Sequence, residues 1–219
     1  KEREEDHIFY SVRRNIYYSW IRFIRVFTKI LFANKDHKFL FVLSPPYCGS
    51  TMLNQLISSS SNVSCNNNLG TREGQLLPGV KHFMFQRNRW DESIDYPWHR
   101  IKRVWMRYWD FSKTIFLEKS IPNIMRANKI DKVFNPAYYI CFVRNPYAQV
   151  EGIIRRNNQD ARSAAEFAIR CLDYQKLNKT RKRTLFFSYE ELCDKAEVIV
   201  EKIKNFIPEL HDINHRIEF

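Results

Sequence analysis

The chain has no CxxC pair, and its cysteines, Cys48, Cys65, Cys141, Cys171 and Cys193, are odd in number. Neither a disulfide framework nor a zinc site is indicated, and a reducing compartment is favoured. It also has no internal repeat and no low-complexity linker, so a solenoid array or a disordered tether finds no support. Acidic residues are few beside basic ones, 24 against 36, which leaves a net charge of +12 across 219 residues. Anionic partners follow, although charge alone does not choose among nucleic acid, a membrane surface, a sulfated glycan and a nucleotide. Residue 1 is Lys rather than Met. The expected compartment is cytoplasmic with membrane association, or the Golgi lumen if an anchor precedes residue 1. The triplets Asn62-Val-Ser64 and Asn178-Lys-Thr180 read as glycosylation sites, but such triplets arise often by chance. What the chain does have is 44% hydrophobic residues, enough for the core of one medium α/β domain.

The most informative stretch is Phe39-Leu-Phe-Val-Leu-Ser44-Pro-Pro-Tyr-Cys-Gly49-Ser50-Thr51-Met-Leu53. An apolar run stops at a turn holding glycine and two hydroxyls, then reopens as a helix. Backbone N–H groups at a helix start converge on one point and carry the positive end of the helix dipole, which suits phosphate or sulfate. The loop GxxxxGK[ST] is absent and no lysine precedes Ser50, so ATP hydrolysis is disfavoured. Cys48 at a helix start raises cysteine-phosphatase chemistry, but the position six residues on is Asn54 rather than arginine.

Further strands are expected at 114–117, 138–143 and 184–187, separated by helical patterns at 123–130, 147–156, 161–177 and 190–206, with Asp160 as an N-cap. The run 58–61 is turn-rich and the polar stretch 64–74 is expected to be loop. Between Phe83 and Phe111 tryptophan, tyrosine, phenylalanine and arginine are dense without a clean period, which suits helices covering the sheet, with most rings in the core. This alternation implies an α/β three-layer sandwich around a central parallel sheet, occupying residues 38–219. Ahead of it, residues 1–37 form a basic amphipathic helical segment. Ile16, Trp20, Phe23, Ile24, Phe27 and Leu31 recur at helical spacing, and Arg22, Arg25 and Lys29 occupy another face. These charges exclude a membrane span. Residues 13–32 either lie on an anionic membrane or pack on their own domain with the bases facing water.

Each expected strand is followed at once by polar residues suited to an anion: Gly49-Ser50-Thr51, Glu118-Lys119-Ser120, Arg144-Asn145-Pro146 and Ser188-Tyr189-Glu190. Ligands of open parallel sheets bind at the carboxyl edge of the strands, so these groups share one crevice. At this point four blocks resemble the sulfotransferases that use 3′-phosphoadenosine 5′-phosphosulfate (PAPS), in the branch related to tyrosylprotein and carbohydrate enzymes. Ser44 to Leu53 looks like the 5′-phosphosulfate loop, and Phe142-Val-Arg144-Asn-Pro146 like the 3′-phosphate strand and turn. Glu118-Lys119-Ser120-Ile-Pro122 resembles the intervening lysine segment, and Phe187-Ser-Tyr189-Glu-Glu-Leu192 a later tyrosine-acid-leucine motif.

The resemblance implies a P-loop-like sulfotransferase fold and transfer of a sulfuryl group from PAPS to a hydroxyl of a carbohydrate, a tyrosine or another small molecule, with no metal required. It further implies that Cys48, Gly49, Ser50, Thr51 and Met52 wrap the 5′-phosphosulfate, that Arg144 grips the 3′-phosphate and that Tyr189 contacts the nucleotide. Two positions depart from the family's pattern: Tyr47 stands where lysine or arginine is usual, and Gly152 where serine follows the arginine by eight residues. Lys119 is the candidate to replace the missing cation, Tyr47 can donate a weaker hydrogen bond, and Gly152 leaves backbone that a phosphate can approach. Glu73 is the candidate base, with His82 and His99 as alternatives. Two other readings stand beside this one. The first is a sulfotransferase-like nucleotide-binding protein impaired by Tyr47. The second is a basic nucleic-acid module using Lys179-Thr-Arg-Lys-Arg183, a run more commonly a solvated connection.

Overall fold

The computed structural model describes residues 2–214, so residue 1 and residues 215–219, the outer ends of the two expected segments, lie outside the described residues. Five parallel strands form one sheet in the order β2-β3-β1-β4-β5. They are β1 (Lys38–Leu43), β2 (Val63–Cys65), β3 (Ile115–Glu118), β4 (Ala137–Val143) and β5 (Thr184–Ser188). Four of them fall on the expected runs to within a residue. The exception is β2, a polar edge strand in a stretch read as loop from Ser64 onward. Its polar side chains are buried because they are bonded rather than apolar: Ser64 Oγ accepts from the Asp110 N–H at 2.8 Å, and Cys65 Sγ contacts Ser58 Oγ at 3.4 Å.

Alternation along β1 divides the interior into two cores, as a pleat of period two requires. Phe39, Phe41 and Leu43 face a layer of rings that includes Trp105, Trp109, Phe116 and Phe134. Leu40 and Val42 face Leu53, Leu56, Ile199, Val200 and Ile203. The first layer is covered by α3 (Lys81–Met84), α4 (Trp98–Trp105), α5 (Ala127–Val133) and α7 (Ala161–Asn178), the second by α2 (Ser50–Ile57) and α9 (Ala196–Phe206). Between β4 and α7 runs α6 (Pro146–Asn157), and α8 (Tyr189–Asp194) follows β5 directly. The three-layer parallel architecture expected from the alternation is present. So is the aromatic core: Trp98, Trp105 and Trp109 are buried, and two indole N–H groups donate to backbone, Trp105 to Gly74 O at 3.2 Å and Trp109 to Leu117 O at 3.1 Å.

Two expected helices are broken. The segment 123–130 is a 3-10 turn, Ile121–Met125, followed by α5, because Arg126 leaves helical geometry to lie over the Tyr96 ring at 4.1 Å and donate to Asp91 O at 2.7 Å. The segment 190–206 divides at Lys195 into α8 and α9, each burying its own apolar residues, Leu192 in one and Ile199, Val200 and Ile203 in the other. Asp160 caps α7 as expected, accepting from the Ser163 N–H at 2.9 Å.

The N-terminal helix α1 (Glu2–Leu31) docks on the aromatic layer by a face other than the one its periodicity marks. Tyr18 is buried, its hydroxyl donating to Asn67 Oδ1 at 3.2 Å, and Arg25 pairs with Asp110 at 2.6 Å. Tyr17 and Ile21 pack beside them. The stripe Ile16, Trp20, Phe23, Phe27 and Leu31 is exposed. The helix packs on its own domain with Arg22 and Lys29 exposed, as one of the two expected alternatives has it, while Arg25 turns to the domain and Ile24 is half-buried. Among the described residues no helix is long and apolar enough to cross a membrane.

Candidate active site

The chain leaves β1 at Leu43 and turns through Ser44 to Gly49 into α2. Gly49 has φ 84°, and a Cβ there would sit 2.6 Å from the Tyr189 ring, so handedness and space both require glycine. Among the described residues no side chain caps α2. The first N–H groups of the helix, at Ser50 and Thr51, are therefore presented to whatever occupies the cleft in front of them.

Lys119, one residue past β3, is 2% exposed and reaches this helix start. Its Nζ donates to Thr51 Oγ1 at 3.0 Å and Ser50 Oγ at 3.3 Å, and lies 3.6 Å from Glu73 Oε1. Burial pulls the lysine pKa down from its ordinary value, while the charge of Glu73 pulls it back up. Glu73 is itself buried and accepts from Gln75 Nε2. Two sequence-distant loops thus bring an ammonium and a carboxylate together at the mouth of the glycine turn.

Glu118, to which sequence reading gave no role, is what holds the Glu73 loop in place. Its carboxylate accepts from Gly74 N (2.8 Å), Ser120 N (2.8 Å) and Asn123 Nδ2 (2.7 Å). Burial lifts its pKa to about 7, and the donors from Ser120 and Gly74 restrain the rise. A Cβ at Gly74 would lie 2.5 Å from Glu118 Oε1, so this loop can pass only as glycine. An acidic residue at the end of an apolar strand was the available signal.

A cleft of about 450 Å³ is lined by Tyr47, Gly49, Ser50, Thr51, Glu73 and Lys119, with Arg89, Trp90, Arg156 and Phe167 toward its outer wall. Cys48, Met52, Arg144, Gly152 and Tyr189 do not line it. Cys48 is buried away from the cleft, and burial pushes its thiol up to about 12, which disfavours a thiolate and argues against cysteine-phosphatase chemistry. Arg144 sits behind the loop: its Nη1 donates to Tyr47 O at 3.2 Å and its guanidinium lies 4.7 Å from the centroid of the Tyr189 ring. Tyr189 in turn packs against Gly49, so Arg144, Tyr189 and the glycine turn form one contiguous unit. The Arg144 Nε is buried without a hydrogen-bond partner among the described residues. His82 and His99 are exposed and line neither this cleft nor the groove beside it.

The two departures from the sulfotransferase pattern touch each other. Tyr47 has φ 63°, its hydroxyl donates to Asn157 Oδ1 at 2.6 Å, and a Cβ at Gly152 would stand 3.0 Å from the Tyr47 Cβ. The tyrosine lies along α6 in space that a side chain at 152 would contest.

A second groove of about 560 Å³ opens beside the cleft and shares Arg89, Trp90, Asn157 and Phe167 with it, adding Arg87 and Arg170. Its one carboxylate, Glu166, is held by Arg162 at 3.0 Å. The Lys179 to Arg183 cluster lies at the opposite edge of the sheet, before β5. There Arg181 pairs with Asp131 and Arg183 donates to Ala137 O at 3.1 Å, so part of it braces the connection. Among the described residues no group of three or more histidines, cysteines, aspartates or glutamates is gathered to hold a metal.

No protein-family model matches the sequence, and no curated protein does. Solved structures do. The sulfotransferase domain from the olefin synthase of Synechococcus PCC 7002 is 19% identical with a TM-score of 0.57, over 84% of this chain and 79% of that one. The sulfotransferase domain from the curacin biosynthetic pathway is 18% identical at 0.54, over 85% and 80%. A sulfotransferase from Alicyclobacillus acidocaldarius is 13% identical at 0.55, over 82% and 85%. At such identities the likeness speaks for architecture, and the architecture agrees with the sheet order and loop placement above: the chain has the sulfotransferase fold.

Proposed function

We propose that the chain is a sulfotransferase that moves a sulfuryl group from PAPS to an acceptor hydroxyl. The observation that carries this reading is Lys119, a buried ammonium on the two hydroxyls at an uncapped helix start, with the Glu73 carboxylate 3.6 Å away. The cleft suits the donor nucleotide on its own residues. A left-handed glycine turn admits close backbone approach, and an orphaned Arg144 Nε lies behind that turn. PAPS supplies an activated sulfuryl group whose S–O bond to phosphate breaks as a new S–O bond forms to the acceptor oxygen.

The chain's residues have separable tasks in that exchange. Ser50 and Thr51 present N–H groups and hydroxyls to the anion, and Lys119 places a positive charge where negative charge grows on the departing oxygen. Glu73 takes the acceptor's hydroxyl proton, which leaves no free hydroxide or hydronium in the balance. Arg144 supplies a planar fork of donors suited to a second phosphate. The basic groove with Arg87, Arg89 and Arg170 around Trp90 and Phe167 suits an acceptor that carries both an anionic group and a ring face, as an acidic sugar does.

A second reading, a nucleotide-binding chain without turnover, is favoured by one observation. The phenol of Tyr47, which stands where the family usually has a cation, is committed to Asn157.

Thermal unfolding with 3′-phosphoadenosine 5′-phosphate, ADP and ATP tests the proposal. At saturation the first ligand is expected to raise Tm by about 5–10 °C and the others by less, with the preference lost in Arg144→Ala. Equal or absent responses to all three ligands would sink the cofactor assignment. Selective binding without sulfuryl transfer to any hydroxyl would leave the second reading.

A further inference from the structure

We infer that the seam between α1 and the domain holds a second anion site, outside the cleft, for a sulfate- or phosphate-sized group. A cavity of about 210 Å³ there is lined by Arg25 of α1, Arg72 of the loop after β2 and Lys113 of the turn before β3, with Ser64 and Asn68 beside them. Three cations from distant stretches of the chain thus share one cavity with a single carboxylate, Asp110. That carboxylate is already answered: Arg25 pairs with it at 2.6 Å, and Ser112 donates its N–H at 3.0 Å and its hydroxyl at 2.8 Å. Among the described residues neither Arg72 nor Lys113 forms an ion pair. Both are half-buried, so this is not a solvated basic face, and the excess positive charge calls for an anion.

The backbone at Arg72 is the second observation. Its φ is 59°, a left-handed conformation that a long side chain rarely adopts and that is kept where the surroundings require it. The turn sends Arg72 to the seam, whereas Thr71 and Glu73 on either side of it line the cleft. There its Nη2 donates to Asn68 Oδ1 at 3.0 Å, and its Nε has no hydrogen-bond partner among the described residues. A guanidinium so sparsely answered offers paired donors to a tetrahedral oxyanion. The exposed bases of α1 border the same seam: Lys29 lies 5.7 Å from the centroid of the Phe111 ring, and the charge of Arg22 reaches the Tyr108 phenol. They deepen the positive potential that draws an anion in. Because Arg72 precedes Glu73, an anion held here fixes the Glu73 loop from outside the cleft and ties it to α1.

The same chemistry arrives as a free inorganic anion or as the sulfate ester of a glycan, and the test separates them. The full chain is titrated calorimetrically with sodium sulfate and, separately, with a sulfated disaccharide, at constant ionic strength. Wild type is compared with Lys113→Glu, Arg72→Gln and, as the counterpart in the cleft, Lys119→Gln, each checked for native circular dichroism. Sulfate bound in the cleft is lost in Lys119→Gln. Sulfate bound at the seam is expected to survive that substitution and to weaken at least about tenfold in Lys113→Glu and in Arg72→Gln. The same pattern with the disaccharide alone supports the site and assigns its group to a glycan ester. The proposal is overturned if wild type binds neither ligand, if Lys113→Glu and Arg72→Gln bind as wild type does, or if Lys119→Gln abolishes all binding. No nucleotide enters these titrations, so failure here leaves the proposed activity standing.

Discussion

At the scale of single residues, Tyr47 and Gly152 show that two departures from a pattern can be one change. Sequence comparison sees a lost cation and a lost hydroxyl; the structure sees a ring lying where a side chain at 152 would be. Gly152→Ala is accordingly expected to destabilise the protein by about 1–2 kcal/mol, because its new Cβ meets the Tyr47 Cβ at 3.0 Å in a packed interior. Tyr47→Gly removes that neighbour and relieves the left-handed φ of 63°, so the double variant should recover part of the loss. Urea unfolding of the two single variants and the pair checks this, and strictly additive costs would show that the contact is not shared.

At the scale of elements, the segment from β3 to the Glu73 loop is organised around one buried carboxyl. Burial raises the Glu118 pKa from 4.5 to about 7 in the folded state. Between those values the native chain holds a proton that the unfolded chain has released, so stability must decline as pH rises through that window. For a fully buried group the effect is on the order of 3 kcal/mol between pH 4.5 and 7. Chemical unfolding across that range should show the decline, and Glu118→Gln should flatten it while lowering stability overall, because its amide turns a donor toward the donors of Ser120 and Asn123. A variant with the same slope as wild type would place the titrating group elsewhere.

This element also marks where sequence reading stopped. The strands β1, β3 and β4 were legible because their apolar runs are buried on both faces, β5 because its short apolar run survives at the sheet edge, and the Gly49 turn because glycine and hydroxyls interrupt such a run. The meeting of Lys119 with Ser50 and Thr51 followed from ligand sites gathering at strand ends. Edge strand β2 was illegible because Ser64 and Cys65 are buried through side-chain bonds rather than by hydrophobicity. The role of Glu118 was illegible because the loop it holds, through the Gly74 N–H, lies 44 residues away in the chain.

At the scale of the whole molecule, the sheet and its two cores leave α1 as an added element whose orientation decides what the protein can touch. Its packed face is set by two polar anchors, Tyr18 on Asn67 and Arg25 on Asp110, reinforced by Tyr18 lying edge-on to Tyr108 at 5.8 Å. Such anchors do not register in hydrophobic periodicity, which is why the sequence left open whether the helix packs on the domain or lies on a membrane. The two orientations make opposite demands on stability. If α1 docks through Tyr18, Tyr18→Ala removes a buried ring and its bond, and unfolding should lose about 3 kcal/mol. Trp20→Ser, a larger deletion at a site 60% exposed, should cost within about 0.5 kcal/mol. Arg25→Ala should fall between them, since it breaks a half-buried pair and leaves Asp110 to its Ser112 donors. Equilibrium unfolding of the three variants orders these costs directly. The reverse order, with Trp20 dear and Tyr18 cheap, would turn the helix over and bury its aromatic stripe against the domain.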